Sequence, residues 1–139
     1  MLQLAARFLK IAAVYFSIGV ILGMIMGIIH DFRLTSVHAH LNLLGWVSMA
    51  LFGIIYHFYP RAAETKLAKT HFWLHNICVP IMQGSIALQL TVTQAVLPVT
   101  IISSLLVVIG VLLFTVNLFS QIGPGSSFTV QQTNHKAKI

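Results

Sequence analysis

The residues best suited to chemistry in this chain are two histidines. His38 and His40 stand two apart in "VHAHLNLLGW", at the head of a long apolar run. Imidazole titrates near neutral pH and, when neutral, offers a lone pair to a metal. Successive residues of an α-helix are turned by about 100°, so this pair points about 200° apart, to nearly opposite sides. That spacing is poor for chelating one ion with both rings, unlike the i, i+4 pair of a zinc helix. It suits two separate groups, one on each side.

At helical spacing His38 shares a stripe with Asn42, Gly45, Met49, Gly53 and Tyr56. Two glycines there are expected to leave room for something flat and bulky. The His40 stripe, Leu44, Val47, Leu51 and Phe58, is apolar. Ionisable residues at membrane depth are functional candidates by default, and neutral imidazole in an apolar slot is a good axial ligand for haem iron. The plainer alternative is a pair of interfacial histidines bonding headgroups or water. No C-x-x-C-H is present, so covalent c-type attachment is not expected.

Other groups rank lower. His71 and His75 are i, i+4, and with His57 they form a second candidate metal site. The competing reading makes His71 and His75 interfacial, beside Trp73. Arg33, in a loop with His30 and Asp31, is a candidate partner for haem propionates, or else a solvated loop residue. Trp46 and the lone Cys78 read as packing residues, and His135 as a tail residue without a role. One cysteine excludes an internal disulfide framework. The only acids are Asp31 and Glu64, which argues against carboxylate-based proton chemistry. No Ser/His/Asp set or phosphate loop occurs.

The elements that position these residues follow from composition. Of 139 residues, 58% are hydrophobic and 7% charged, against roughly 25% charged in ordinary soluble domains. Mean hydropathy is +0.92. A chain so poor in polar surface reads as an integral membrane protein. Four apolar runs, about 8–30, 37–59, 70–92 and 96–119, are expected to be spans. Their short connections make consecutive helices antiparallel neighbours, hence an all-α four-helix bundle over residues 1–122. Residues 123–139 are expected to form a flexible cytoplasmic tail.

Basic residues orient the chain. Arg7, Lys10, Arg61, Lys66, Lys69, Lys136 and Lys138 fall on one side and Arg33 on the other. Both termini are therefore expected in the cytoplasm, with the H-x-H pair near the outer face of a bacterial-type inner membrane. The +6 charge lies between apolar runs rather than in one patch, so nucleic acid is not an expected partner. Gly19, Gly23 and Gly27 make a smooth groove for close helix packing. Pro80 and Pro98 are expected to kink or begin helices. Gln83, Ser85 and Gln89 give the third run a polar face suited to joining subunits.

"VHAHLNLLGWVSMALFGIIYHFYP" followed by "KTHFWLHNI" resembles the tenth and eleventh helices of subunit I of the haem–copper oxidases, which include the nitric oxide reductases. The residues that carry the resemblance are His38, His40, Tyr56, Phe58, Tyr59, Pro60, Lys69, His71 and Phe72. It covers residues 37 to about 77, under a third of the chain. The resemblance implies that the first histidine of H-x-H serves the high-spin haem and the second the low-spin haem. It also implies that a four-helix chain equals one of the family's three four-helix arcs, so a homotrimer would rebuild the ring, with a dimer or tetramer as the alternatives. Each haem b would then take His38 from one subunit and His40 from its neighbour, with Asn42, Gly45 and Arg33 around it. The chain departs from the family in having four spans rather than about twelve. It lacks a motif for the three copper-ligating histidines and an H-x-x-x-Y pair, so copper is not expected. The resulting expectation is a haem protein for electron transfer or for handling nitric oxide or oxygen, with an unknown electron donor. The alternatives are a haem–metal reductase and a haem-free accessory subunit.

Overall fold

The structure, a computed structural model, describes residues 2–122. The expected tail at 123–139, with His135, lies outside the described residues. Helix α1 (Leu2–Ile29) is followed by a second long helix over Thr35–Phe58. That helix is built of α2 (Thr35–His40), a π-helical segment (Leu41–Val47) and α3 (Ser48–Phe58). A single turn, α4 (Pro60–Ala63), leads to α5 (Lys66–Thr91), and a 3-10 turn (Gln94–Val96) to α6 (Leu97–Gln121).

Local chemistry sets the helix ends. α1 stops at His30, whose φ of 52° is the left-handed conformation that ends many helices and that glycine adopts most easily. Thr65 caps α5, its Oγ1 accepting from the Ala68 N–H at 3.0 Å. Pro98 lies in the first turn of α6, where a missing N–H costs nothing. Pro80, in contrast, lies inside α5 rather than at an end.

Among the described residues, three stretches are long and apolar enough to cross a membrane: Gln3–Ile29, Thr35–Phe58 and Gln94–Gln121. The fourth expected span, 70–92, is helical as α5 but is not one of these three. Its sequence spends too many positions on His71, His75, Asn76, Gln83, Ser85 and Gln89. Those polar groups turn inward: His71 and His75 are fully buried, and Gln83 and Ser85 nearly so. The outer surface is the reverse, with Ile28, Leu51, Ile102, Leu105 and Phe119 all exposed. Polar groups inside and an apolar coat outside are what a bilayer demands of a helical protein.

α1 packs along the π-helical segment and α3, and α5 packs along α6. The two pairs meet through aromatic rings, Phe8 on Phe72 at 4.9 Å and Phe52 on Phe114 at 4.5 Å between centroids. In lipid, close packing and polar contacts hold helices together, because lipid tails are as apolar as leucine. The glycines show how close the packing is. A Cβ on Gly19 would lie 2.8 Å from the Asn42 amide, and one on Gly23 2.7 Å from the His38 ring. At Gly19 and Gly23 the groove of α1 is therefore filled from within the chain, by the H-x-H helix, whereas at Gly27 it stays open.

One expectation is corrected here. Gly45 and Gly53 do not leave room for a bulky group. A Cβ on Gly45 would stand 2.5 Å from the Tyr15 ring, and one on Gly53 2.9 Å from Leu9. Side chains of α1 already fill both notches. On the polar face of α5, Ser85 and Gln89 bond within the chain, whereas the buried Gln83 amide has no hydrogen-bond partner among the described residues. Thr100 Oγ1 donates to Ser85 Oγ at 2.9 Å, and Gln89 Nε2 to Gln94 Oε1 at 3.0 Å.

Candidate functional site

His38 and His40 lie in the last turn of α2, just before the π-helical segment. Single π turns inside α-helices are rare and frequent at functional sites. Here the segment is braced by Ser48 Oγ, which donates to the Leu43 carbonyl at 2.7 Å, and by the Ser48 N–H on the same oxygen. From within its first turn, Asn42 Nδ2 reaches back and donates to the His38 carbonyl at 2.9 Å.

Both imidazoles are anchored in the same way. His38 Nδ1 lies 3.0 Å from the Gly19 carbonyl, and His40 Nδ1 lies 2.7 Å from the Ser36 carbonyl. A carbonyl oxygen only accepts, so each Nδ1 carries the proton and each neutral ring keeps its lone pair on Nε2. A metal-ligating histidine is held this way, its second nitrogen donating to a carbonyl that fixes tautomer and ring orientation. Both rings are half-buried. His38 turns toward α1, resting on Gly23, whereas His40 is tied only to its own helix. The 200° separation drawn from spacing is thus realised as two different surroundings.

The other candidates fare differently. Arg33 is engaged within its loop. Its Nη2 is 2.6 Å and its Nε 3.0 Å from the Asp31 carboxylate. Hydrogen bonds from the Arg33 side chain hold the Asp31 carboxyl down to about 2, below its ordinary 3.8. The expected His57, His71 and His75 set is not assembled. His57 is exposed with its ring against Phe58, and among the described residues no group of three His, Cys, Asp or Glu side chains gathers around one point. Nor are His71 and His75 interfacial, because both are completely buried.

They sit instead in an aromatic cage. The His71 ring stacks on Phe8 at 5.4 Å and meets Phe52 edge-on at 4.5 Å, with Phe114 at 5.3 Å. The Tyr56 hydroxyl is 3.2 Å from His71 Nδ1. His75 Nε2 donates to the Leu44 carbonyl at 3.0 Å, inside the π-helical segment. His75 therefore reaches the helix one turn beyond His40, much nearer the H-x-H pair than a cytoplasmic-end position implies. His71 Nε2 and His75 Nδ1 are buried without a hydrogen-bond partner. Their rings are 5.7 Å apart between centroids.

Sequence reasoning missed Asn117. It is fully buried on α6, accepts from Thr65 Oγ1 at 2.8 Å and donates to the Ala62 carbonyl at 2.8 Å. An asparagine within the apolar run of α6 was the available signal. It clamps the turn between α4 and α5, and so fixes where α5 starts and how its histidines enter the cage. No protein-family model, curated protein or solved structure matches this chain.

Proposed function

We propose that the chain is a membrane b-type haem protein in which His38 and His40 supply the axial ligands. The observation that carries this reading is the shared anchoring of the two rings. Each Nδ1–H is held by a backbone carbonyl, so each Nε2 keeps a lone pair for iron. The donor set fits haem better than a chelated ion, since the two rings face different ways and neither has a second ligand beside it. When bound, haem supplies one-electron redox chemistry and an iron site for diatomic gases.

The chain's own residues then have distinct tasks. Gly19 and Gly23 seat the His38 ring and fix its tautomer, and the Ser36 carbonyl does the same for His40. Asn42 braces the first turn by bonding the His38 carbonyl. Opposite-facing ligands in identical chains lead to sharing: His38 of one subunit and His40 of a neighbour flank each haem in a closed ring, with three copies preferred. With both histidines as ligands, the haem would serve electron transfer rather than gas binding. Diatomic gas handling requires one ring to leave, and His40, tied to a single carbonyl of its own helix, is the freer of the two.

The test is the visible spectrum of detergent-purified protein, oxidised and dithionite-reduced, with haem quantified per chain. Low-spin b-type bands at about one haem per chain support the proposal. Colourless protein after expression with ample haem contradicts it and leaves a haem-free accessory subunit.

A further inference from the structure

A cleft of about 390 Å³ lies at the end of the fold away from the H-x-H pair, between the start of α1 and the start of α5. Its volume is in the range usual for small-molecule sites, about 300–1,000 Å³. Gln3 and Arg7 come from α1, Glu64 from the α4–α5 turn, and Lys69, Phe72 and Trp73 from α5. Phe72 is buried, and its ring is fixed edge-on against Phe8 at 4.9 Å. The turn that carries Glu64 is clamped by Asn117 on the Ala62 carbonyl. The charged side chains are exposed, as is Trp73 at 60%.

The charges are unusual for a chain with only two acids. Asp31 is used up by Arg33, and that is the only ion pair among the described residues. Glu64 thus lines the same cleft as Arg7 and Lys69 without being paired to either. Two cations and one carboxylate that pairs with neither match a zwitterion better than a simple anion. The cleft also opens beside Trp73, at the end of apolar helices, where tryptophan and basic residues mark the lipid headgroup level.

We propose that this cleft binds the headgroup of phosphatidylethanolamine. The phosphodiester lies between Arg7 and Lys69, and the primary ammonium donates to Glu64. Phosphatidylglycerol offers no cation to Glu64 and sets an anion beside its carboxylate. Phosphatidylcholine has no N–H to donate. The inference does not depend on haem binding.

The experiment is native mass spectrometry of the full-length protein in mixed micelles holding equal mole fractions of phosphatidylethanolamine, phosphatidylglycerol and phosphatidylcholine. Phosphatidylethanolamine should be retained above the other two. Glu64→Gln should lower its retention at least about tenfold, the loss of one charge-assisted contact, and leave phosphatidylglycerol undiminished. Arg7→Gln with Lys69→Gln should abolish retention of both, whereas Lys69→Arg should preserve it. Far-UV circular dichroism confirms that each variant is folded. Equal or greater retention of phosphatidylglycerol, or an unchanged Glu64→Gln variant, overturns the proposal. Displacement of the lipid by free phosphoethanolamine at equal concentration also overturns it, because the ligand would then be a soluble phosphate ester rather than a lipid.

Discussion

The two histidine pairs of this chain are opposites built from the same side chain. His38 and His40, two apart, are half-buried, and each is tied through Nδ1 to a backbone carbonyl. His71 and His75, four apart, share one face of α5 and are fully buried, His71 among Phe8, Phe52, Phe114 and Tyr56 and His75 against Phe52. The first pair keeps a lone pair on the nitrogen that points away from its anchor. In the second pair, two nitrogens face the interior with no partner. Spacing explains the contrast. A separation of four puts both rings on one buried stripe, whereas a separation of two sends them to different sides. The second pair is arranged to hold α5 against its neighbours; the first leaves the donor nitrogens that the proposed haem site requires.

The contrast predicts opposite mutational behaviour. His71→Ala, which empties the middle of the aromatic cage, should destabilise the protein most, by about 3 kcal/mol. His38→Ala and His40→Ala, at half-buried positions, should each cost about 1 kcal/mol or less. Unfolding of the haem-free protein in detergent, followed by circular dichroism, checks both. Equal losses at the two sites would erase the distinction.

Next in size is Gly45→Ala, which drives a methyl group into the Tyr15 ring. Overpacking of this kind costs about 1–3 kcal/mol. Gly27→Ala meets nothing within 4 Å and should be neutral or slightly stabilising, as alanine is the better helix former. The same unfolding assay compares them. Tyr56→Phe should cost about 1–2 kcal/mol, because it strips His71 Nδ1 of its partner and leaves that nitrogen buried.

The smallest effect belongs to the loop ahead of α2. The Asp31 carboxyl is held at about 2 by Arg33, below its ordinary 3.8. Its contribution is complete above the ordinary value and is lost only as pH falls through about 2. Asp31→Asn should therefore leave the unfolding temperature unchanged between pH 5 and 8 to within a degree or so, because both groups are exposed and the pair is screened. A clear pH-dependent drop in that window would show that the loop matters to the H-x-H helix.

Much of this architecture was legible in the residues. The apolar runs at 8–30, 37–59 and 96–119 correspond to α1, the Thr35–Phe58 helix and α6, because length and hydropathy are local properties. Which side of each helix turns inward was read less well. Gly45 and Gly53 look like open notches in a one-dimensional stripe, yet Tyr15 and Leu9 of α1 occupy them. His71 beside Trp73 looks interfacial, but only the packing of α5 against α6 and α3 shows that it is enclosed. In each case the missing knowledge was the identity of the neighbouring helix, which no single run of sequence contains. The π-helical segment had no signal at all, since Leu41–Val47 reads as ordinary helix.

The most direct test of the central claim, that the H-x-H pair rather than the buried pair binds haem and does so between subunits, is haem content per chain after co-expression of His38→Ala with His40→Ala. Each variant alone should purify without haem. Expressed together, they should recover it at interfaces that combine an intact His38 with an intact His40, roughly a quarter of those formed by random mixing in a closed ring. Recovery at that level, with low-spin bands, is the predicted result. Haem retained by either variant alone, or none recovered from the mixture while the unmutated protein binds it, would contradict the account.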